Sequence, residues 1–175
     1  MATTQFHPLQ VRQVQHATRD AIAVTFELPP ALADTFHYTQ GQYLTLRTML
    51  DGQEIRRSYS ICSAAQDQQL RVAIKRVHGG AFSNWAADHL KVGSTIDVMP
   101  PQGNFHLPLQ PDAARHVVAF ASGSGITPIL SIVKTTLLAE PATSVTLVYG
   151  NRSSGGVMFK EELEDLKDSY MGRLN

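Results

Sequence analysis

Short runs of alternating apolar and polar residues fill the chain up to about residue 100 and predict β-strands. In the clearest run, residues 70–77, Leu70, Val72 and Ile74 alternate onto one face. The Asp51-Gly52 pair between two other runs is typical of a hairpin turn. Six short strands at this spacing predict a small antiparallel barrel. Strands are expected near residues 11–14, 21–28, 41–46, 54–61, 70–77 and 95–99, with the last one stopped by Pro100-Pro101.

The pattern changes near residue 110. A stretch with two prolines, residues 107–114, predicts a linker, and the continuous apolar run 116–121 predicts a parallel strand that is buried on both faces. A helix (129–139), a second strand (145–149) and a second helix (159–167) follow. This alternation predicts the start of a doubly wound parallel sheet. We therefore expect two domains, an antiparallel barrel over residues 1–109 and part of an α/β domain over residues 110–175, with one helix (81–90) inside the first.

Composition excludes several classes of protein. Fifteen basic and fifteen acidic residues give a formal net charge of zero, so the basic surface of a nucleic-acid-binding protein is absent. A single cysteine, Cys62, cannot form an internal disulfide or hold an iron–sulfur cluster, and the seven histidines show no metal-ligand spacing. No signal peptide is predicted at residues 1–10, and no run approaches the ~20 apolar residues of a membrane span. We expect a soluble cytoplasmic protein with no metal site of its own.

Three segments carry candidate chemistry, and the first is Arg57-Ser58-Tyr59-Ser60. Arg57 and Tyr59 lie two apart on a predicted strand and therefore on one face. A guanidinium suits a phosphate and a phenol ring can stack on a planar heterocycle, so the pair is able to hold a flavin nucleotide. The alternative is a surface arginine beside a half-buried tyrosine, and on the pair alone it is the better interpretation.

The other two segments each precede a helix. In the segment from Gly79 to Trp85, two glycines permit a close backbone approach and Ser83 is placed to cap the helix. In the segment from Gly123 to Pro128, which follows a buried strand, the glycines allow a pyrophosphate to reach the helix and Thr127 is the expected N-cap. The second of these lacks the third glycine of the full dinucleotide fingerprint.

Taken together and in this order, the three segments resemble the ferredoxin-NADP reductase superfamily. Within it, stretches such as RRSYSIC, MPPQGNF, GSGITPILSI and YGNRSS look most like the reductase subunits of phenylacetyl-CoA monooxygenase (epoxidase) systems, over essentially all 175 residues. The resemblance implies a barrel that binds FAD and a domain that binds NADPH, with NADH open as an alternative. Electrons would pass to an iron–sulfur centre and then to the oxygenase component of a multicomponent monooxygenase.

The resemblance also implies roles for individual residues. Arg57 would bind the flavin pyrophosphate, Tyr59 would stack on the ring, and Ser60 would bond near flavin N5, so that Tyr59 and Ser60 are the candidate catalytic residues. Strict strand alternation places Ser60 on the face opposite Tyr59, which this assignment must accommodate. The remaining cofactor-binding candidates are Ile74, Lys75, Val77, Gly80, Phe82 and Ser83 for the flavin, and Gly123, Ser124, Gly125, Thr127, Asn151 and Arg152 for the nucleotide.

Departures from the family pattern shape the remaining expectations. The second half of the nucleotide domain and a four-cysteine 2Fe-2S domain do not occur in these 175 residues, so we expect impaired NADPH turnover. We also expect either self-association through exposed strand edges or loss of order after about Gly150. Arg152 stands where NAD enzymes carry an acidic residue, which favours NADPH. The alternatives are a reductase of another oxygenase, ferredoxin or flavodoxin, and a non-catalytic flavin-binding module.

Overall fold

The computed structural model describes residues 5–175, and within them eight β-strands and three α-helices follow one another along the chain. The strands are β1 (His7–Thr18), β2 (Ala21–Glu27), β3 (Tyr43–Leu50), β4 (Gln53–Ser60), β5 (Leu70–Lys75), β6 (Thr95–Gln102), β7 (His116–Ser122) and β8 (Ser144–Gly150). The helices are α1 (Ala81–His89), α2 (Ile126–Ala139) and α3 (Lys160–Ser169).

The first six strands form one antiparallel sheet in the order β4-β3-β6-β1-β2-β5. A bridge between Ile61 and Val72 joins the end of β4 to β5 and closes the sheet into the predicted barrel. Alternate residues of the strands fill its interior, including the predicted face of β5, and α1 closes one side through Phe82, Ala86 and Leu90. The barrel therefore has its own apolar core.

Strand β6 corrects one prediction, because Pro100 and Pro101 lie inside it instead of stopping it. The pairing of β6 with β1 ends at Val98, and its pairing with β3 is irregular between Tyr43 and Thr45. Proline is tolerated where a strand lacks one regular neighbour, since no ladder hydrogen bond then needs its missing N–H.

Strands β7 and β8 pair in parallel, and α2 connects them as predicted. Only one face of this two-stranded sheet is covered, by apolar residues of α2 and of the segment after α3. On the other face Val118 and Phe120 are 52% and 71% exposed. The prediction that the strand over residues 116–121 is buried on both faces is therefore wrong within the described chain, because no element among residues 5–175 packs on that second face.

The chain beyond Gly150 is folded, which removes one of the two expected consequences of an unfinished sheet. Helix α3 is followed by a parallel bridge between Leu174 and Val145, and the Asn175 amide donates to the Val145 carbonyl at 2.9 Å. These bonds place residues 173–175 along the edge of β8.

Small side chains on the outside of the barrel form its boundary with the α/β part. Ala21, Ala23 and Ala73 are buried there together with Cys62. They pack against the larger residues Ile126, Leu130, Met158 and Phe159. Alanine at positions 21 and 23 of β2 leaves room for these side chains, so the outer face of β2 is as specific to this fold as its inner face.

A buried carboxylate holds the linker against α2. Glu140 follows the helix and is fully buried. Its oxygens accept hydrogen bonds from Arg115 Nε at 3.0 Å, Arg115 Nη2 at 2.6 Å, the Gln110 amide at 2.8 Å and Thr143 Oγ1 at 2.7 Å. Burial alone would raise the pKa of Glu140, but these donors outweigh it and hold the pKa below its usual value. The folded protein therefore favours the charged form of Glu140.

Replacing Glu140 by glutamine is expected to lower the free energy of unfolding by about 3 kcal/mol at pH 7, because Arg115 loses its buried partner. Since the folded pKa of Glu140 is depressed, its contribution is present above the unfolded pKa of about 4.3 and is lost as pH falls through the folded value. Urea unfolding at pH 7 and at successively lower pH measures this. The difference between wild type and variant should shrink in acid, and a difference that does not depend on pH would contradict the assignment.

Candidate functional site

Three adjoining clefts run along the boundary between the barrel and the parallel sheet, and Lys75 at the end of β5 lines all of them. The barrel cleft, of about 360 Å³, lies between β4 and the start of α1. The central cleft, of about 380 Å³, lies between β4 and the start of α2. The loop cleft, of about 680 Å³, lies between the β1–β2 turn and the loops that follow β7 and β8. Shared lining residues make them one continuous groove.

Arg57 and Tyr59 both line the barrel cleft. Their opposite neighbours on β3 are Leu46 and Leu44, which point into the barrel, so the two side chains share a face as alternation predicts. Tyr59 is half-buried, with its ring centroid 5.7 Å from that of Phe82. Burial raises the pKa of Tyr59 to about 12, against a smaller lowering by Arg57, so the phenol is neutral at pH 7. The barrel cleft thus combines a flat neutral ring with an exposed cation.

The start of α1 forms the opposite wall of the barrel cleft. Gly80 is the N-cap, and no side chain caps the helix. Ser83, predicted as the cap, is instead buried in the first turn, where its Oγ accepts a hydrogen bond from the Val77 amide at 3.1 Å. Ser83 lies too far into the helix to cap it, and it ties the end of the β5 loop to α1. The uncapped helix start lines this cleft together with Arg57.

Ser60 and Tyr59 both line the central cleft although they alternate along β4. Strand β4 is the last strand on its side of the sheet and meets β5 only through the Ile61–Val72 bridge. The cleft follows this open edge, and for that reason residues from both faces of the strand reach it. Gly125 and Thr127 line the same cleft from the other domain.

The glycine loop before α2 departs from its predicted capping. Gly125 is the N-cap of a helix that begins at Ile126, and Thr127 lies within the first turn. The Thr127 hydroxyl is buried and donates to the Ser124 carbonyl at 3.0 Å. Gly123 has φ = +52°, which favours glycine, and an added Cβ there would meet open space. Tyr149 Oη donates to the Gly123 carbonyl at 2.9 Å, so Tyr149 helps to shape this loop.

Asn151 and Arg152 line the loop cleft together with Gly123 and Ser124. These four residues are among those that were predicted to bind the nucleotide. Arg19, in the turn between β1 and β2, also lines it and was not predicted. Its neighbours in sequence signal only a turn, and the cleft brings it opposite residues more than one hundred positions away. No pattern within the sequence carries that information.

Of the predicted flavin residues, Ile74 is the one whose side chain the structure places away from the clefts, and its contact with the flavin stays a prediction. Its side chain is fully buried in the barrel core and lines none of the three clefts. The alternation that puts Val72 and Ile74 inside the barrel turns Lys75 outward. The predicted residues that do line a cleft are Arg57, Tyr59, Ser60, Lys75, Val77, Gly80, Phe82, Ser83, Gly123, Ser124, Gly125, Thr127, Asn151 and Arg152.

The groove is cationic. Within residues 5–175, Arg57, Lys75 and Arg152 form no ion pair with a carboxylate, unlike Arg47, Arg71 and Arg115. Each of the three clefts therefore holds positive charge that the protein does not neutralise itself, which suits an anionic ligand with several phosphates.

Neither metal nor thiol chemistry is indicated in the described chain. No group of three or more metal-ligating side chains occurs among residues 5–175. Cys62 is fully buried, and burial raises the pKa of its thiol to about 11. It packs in the domain boundary as a small apolar side chain.

Comparison with known proteins identifies the family. The oxidoreductase FAD-binding domain model matches residues 8–107, more than half of the chain, and the oxidoreductase NAD-binding domain model matches residues 120–175. The chain belongs to the ferredoxin-NADP reductase family of FAD-binding oxidoreductases. The order of the two matches is the order of the barrel and the parallel sheet described above.

Individual relatives of this reductase-family chain are components of oxygenase systems. A component of the 1,2-phenylacetyl-CoA epoxidase from Escherichia coli K12 is 46% identical over 98% of the chain and 48% of its own length. The ferredoxin reductase component of 3-ketosteroid-9-alpha-monooxygenase from Rhodococcus rhodochrous is 39% identical over 95% of the chain and 47% of its own length. The crystal structure of the cytochrome P450 reductase GcoB of Amycolatopsis superposes with a TM-score of 0.81 at 28% identity, covering 99% of this chain and 51% of that one. The chain thus spans about half the length of the curated relatives it matches.

The residues present fit FAD. A dinucleotide needs a flat surface for its ring, cations and free amides for its pyrophosphate, and an elongated cavity. Tyr59 offers the ring face, while Arg57 and the uncapped start of α1 offer the charge and the amides. The adjoining barrel and central clefts offer the length.

Proposed function

We propose that this chain supplies the flavin-binding part and a portion of the nicotinamide-binding part of a reductase that passes electrons from NADPH through FAD to an oxygenase system. The observation that carries the proposal is the central cleft. There Tyr59 and Ser60, from the barrel, face Gly125 and Thr127, from the nucleotide-binding loop. A ring held on the first pair and a nicotinamide held on the second would meet in one cavity.

Each site residue then has a role of its own. Arg57 binds the FAD pyrophosphate together with the amides of residues 81–83, which follow Gly80 at the start of α1, and Phe82 backs the Tyr59 ring. Tyr59 stacks on the ring and Ser60 bonds to its edge, with Val77 alongside. The Thr127 hydroxyl, bonded to the Ser124 carbonyl, holds the glycine loop in shape for the nicotinamide.

When bound, FAD supplies the conversion between a two-electron donor and a one-electron acceptor, which amino-acid side chains do not provide. The protein positions the two partners in the central cleft. Lys75, which lines all three clefts, is placed to attract phosphate and to balance negative charge where they meet.

The cationic loop cleft supports NADPH over NADH. Arg152 and Arg19 line it from opposite domains, and Asp20 is the one acidic residue among its lining side chains. An NAD-specific site would instead carry its ribose-binding carboxylate after the second parallel strand, where this chain has Arg152. We propose that Asn151 and Arg152 contact the nucleotide beyond β8 and that Arg19 adds charge from the barrel.

The acceptor is proposed from the relatives. The identity to the epoxidase component favours an oxygenase that acts on phenylacetyl-CoA, and the 3-ketosteroid relative keeps a reductase of another oxygenase as the alternative. The 2Fe-2S centre of such a pathway would require cysteines outside this chain, because Cys62 is the only one here and is buried. Barrel and α/β domains over residues 1–109 and 110–175 remain the proposed division.

Two further properties are proposed on single observations. Within residues 5–175 no helix is long and apolar enough to cross a membrane. A chain with a single cysteine, and therefore no internal disulfide, fits a reducing compartment such as the cytoplasm. The exposed apolar face around Val118 and Phe120 supports self-association of this chain.

An absorbance spectrum of the purified protein after addition of FAD, recorded before and after anaerobic NADPH, tests the proposed function. Flavin bands shifted from those of free FAD show that the barrel binds, and their bleaching shows that NADPH reaches the ring. We expect binding with slow bleaching, because about half of the length of the relatives is absent from this chain. NADH in place of NADPH serves as the comparison for the loop cleft.

The remaining outcomes separate the alternatives. A shifted flavin spectrum without any bleaching, in a longer chain that includes the rest of the relatives' length, would favour the non-catalytic flavin-binding module. Absence of any spectral shift at FAD concentrations well above that of the protein would contradict the proposed function altogether.

A further inference from the structure

A network of four charged side chains crosses the domain boundary at a distance from the clefts. Arg71 of β5 donates from Nη2 to both carboxylate oxygens of Glu162 on α3, at 2.7 and 2.9 Å. Lys134 of α2 donates from Nζ to Glu162 at 3.1 Å and to Asp67 at 2.9 Å. Two of the charges belong to the barrel and two to the α/β part, so every bond except Lys134–Glu162 joins the two domains.

The same face of α2 carries two further bonds across the boundary. Ser131 Oγ donates to the Ser63 carbonyl at 2.7 Å, and Thr135 Oγ1 accepts from the Ala65 amide at 3.1 Å. Ser131 and Thr135 are fully buried. Together with Lys134 they lie one turn apart on one stripe of the helix, which is therefore bound along its middle to residues 63–67.

Both sides of this contact lead directly to the central cleft. Residues 63–67 follow Ser60 after two residues, and α2 carries Thr127 of the cleft one turn before Ser131. A helix and a short segment that are bonded to each other at this point fix the separation between the two walls of the cleft. A rotation of α2 relative to residues 63–67 would change that separation.

A contribution to the stability of the fold does not account well for this network. Desolvating four charges offsets most of their attraction, and apolar residues of the same shape are often as stable. Arg71 Nε is moreover buried without a hydrogen-bond partner. Charged groups with directional bonds do, however, select one relative arrangement of two surfaces over others, because a displaced arrangement leaves a charge buried and unpaired.

We propose that Lys134, Glu162, Arg71 and Asp67 are positioning residues that set the alignment of the two domains, and thereby the approach of the nicotinamide loop to the flavin strand. The effect on the approach of nicotinamide to flavin rests on the proposed function, whereas the alignment of the two domains is a property of the chain itself. The four residues touch neither cofactor nor substrate, since none of them lines the barrel, central or loop cleft.

Spin labels on the two domains measure the alignment without any cofactor. Val92 of the barrel and Leu138 of α2 are 65% and 47% exposed and can each be changed to cysteine, while the fully buried Cys62 stays unlabelled. Pulsed electron-spin distance measurements on the full chain should give one narrow distribution in the parent. Lys134→Met and Glu162→Gln, which keep side-chain size, should broaden it or add a second distance, and Lys134→Arg should restore it.

Glu164→Gln is the matched control, since Glu164 lies on the same helix and forms only an exposed pair with Lys160 at 3.8 Å. It should leave the distribution unchanged. With FAD bound, the rate of flavin reduction at saturating NADPH should fall roughly 10- to 100-fold in Lys134→Met, as for a misplacement of about 1 Å, with FAD affinity unchanged.

An unchanged narrow distribution in both Lys134→Met and Glu162→Gln, with only a lower melting temperature, overturns the proposal and assigns the network to stability. If Lys134→Met does not fold, the milder Glu162→Gln decides by the same criterion. A broadened distribution in a chain that binds no FAD upholds the positioning role and refutes the proposed function, so the two ideas fail separately.

Discussion

Alanine in place of Arg57 is expected to weaken FAD binding by roughly 10- to 100-fold, the loss of about 1.5–3 kcal/mol that charge-assisted bonds to phosphate contribute. Arg57 is exposed at the barrel cleft, and its one internal bond runs from Nη1 to the Arg56 carbonyl at 2.7 Å. Its removal therefore costs the fold little, and the effect should appear in binding. Titration of the apoprotein with FAD, followed by quenching of flavin fluorescence, measures the dissociation constant.

Neighbouring variants make this test specific to position and geometry. Arg56→Ala removes an equal charge one residue away, but Arg56 is already paired with Glu54 at 2.6 Å and lies over the ring of Phe6. We expect it to change FAD affinity less than threefold, as for a screened surface charge. Arg57→Lys should recover only part of the affinity, because an ammonium lacks the planar fork. Equal losses in Arg56→Ala and Arg57→Ala would show that overall charge, and not the Arg57 site, attracts the ligand.

Alanine in place of Gly41 is expected to destabilise the protein by roughly 3–5 kcal/mol, near the upper end for single substitutions. Gly41 has φ = +93°, and an added Cβ would lie 1.9 Å from the Phe105 carbonyl oxygen and 3.2 Å from Ile132 Cδ1. The nearest obstacle is backbone, so the segment around Phe105 would have to move away from Gly41. Thermal unfolding should show a melting temperature lower by about 10 °C, at ~2–4 °C for each kcal/mol.

Gly93→Ala is the control that separates the cost of a positive φ from the cost of a steric clash of the added Cβ. Gly93 has a similar φ of +86°, but an added Cβ there meets nothing within 4 Å. It should cost about 1 kcal/mol, the penalty of a left-handed conformation for a residue with a side chain. Two variants with the same loss of stability would mean that the close approach of the Phe105 carbonyl to Gly41 is relieved without cost.

The local chemistry of the residues was sufficient for most of the architecture. Alternation along Leu70–Lys75 and the turn at Asp51-Gly52 predicted the antiparallel strands, because a half-buried strand has to place every second side chain inside. The change to a continuous apolar run at residue 116 marked the start of the parallel sheet. The boundaries of the helices and strands were predicted less accurately. Helix α2 begins at Ile126, three residues before its predicted start, because the glycine loop itself leads into the first turn.

Capping and burial were the points at which sequence reasoning failed. Ser83 and Thr127 are residue types that favour helix N-caps, yet both hydroxyls bond to the preceding loop from within the first turn. Val118 and Phe120 are apolar in a strand and were expected inside, but nothing among the described residues covers their face of the sheet. In each case residue type expresses a preference, and the neighbours that a residue meets in space decide whether the preference is realised.

The sequence by itself determined the order of the elements, the barrel, and the three segments that face the groove, because each depends on residues close together along the chain. Tertiary structure alone decided which of these residues meet. It brings Lys75 to the junction of three clefts, sets Arg19 opposite Arg152, and joins Arg71 and Asp67 to Lys134 and Glu162. Such contacts follow from how an outer barrel face of alanines packs against α2 and α3, and packing of this kind leaves no periodic signal in the sequence.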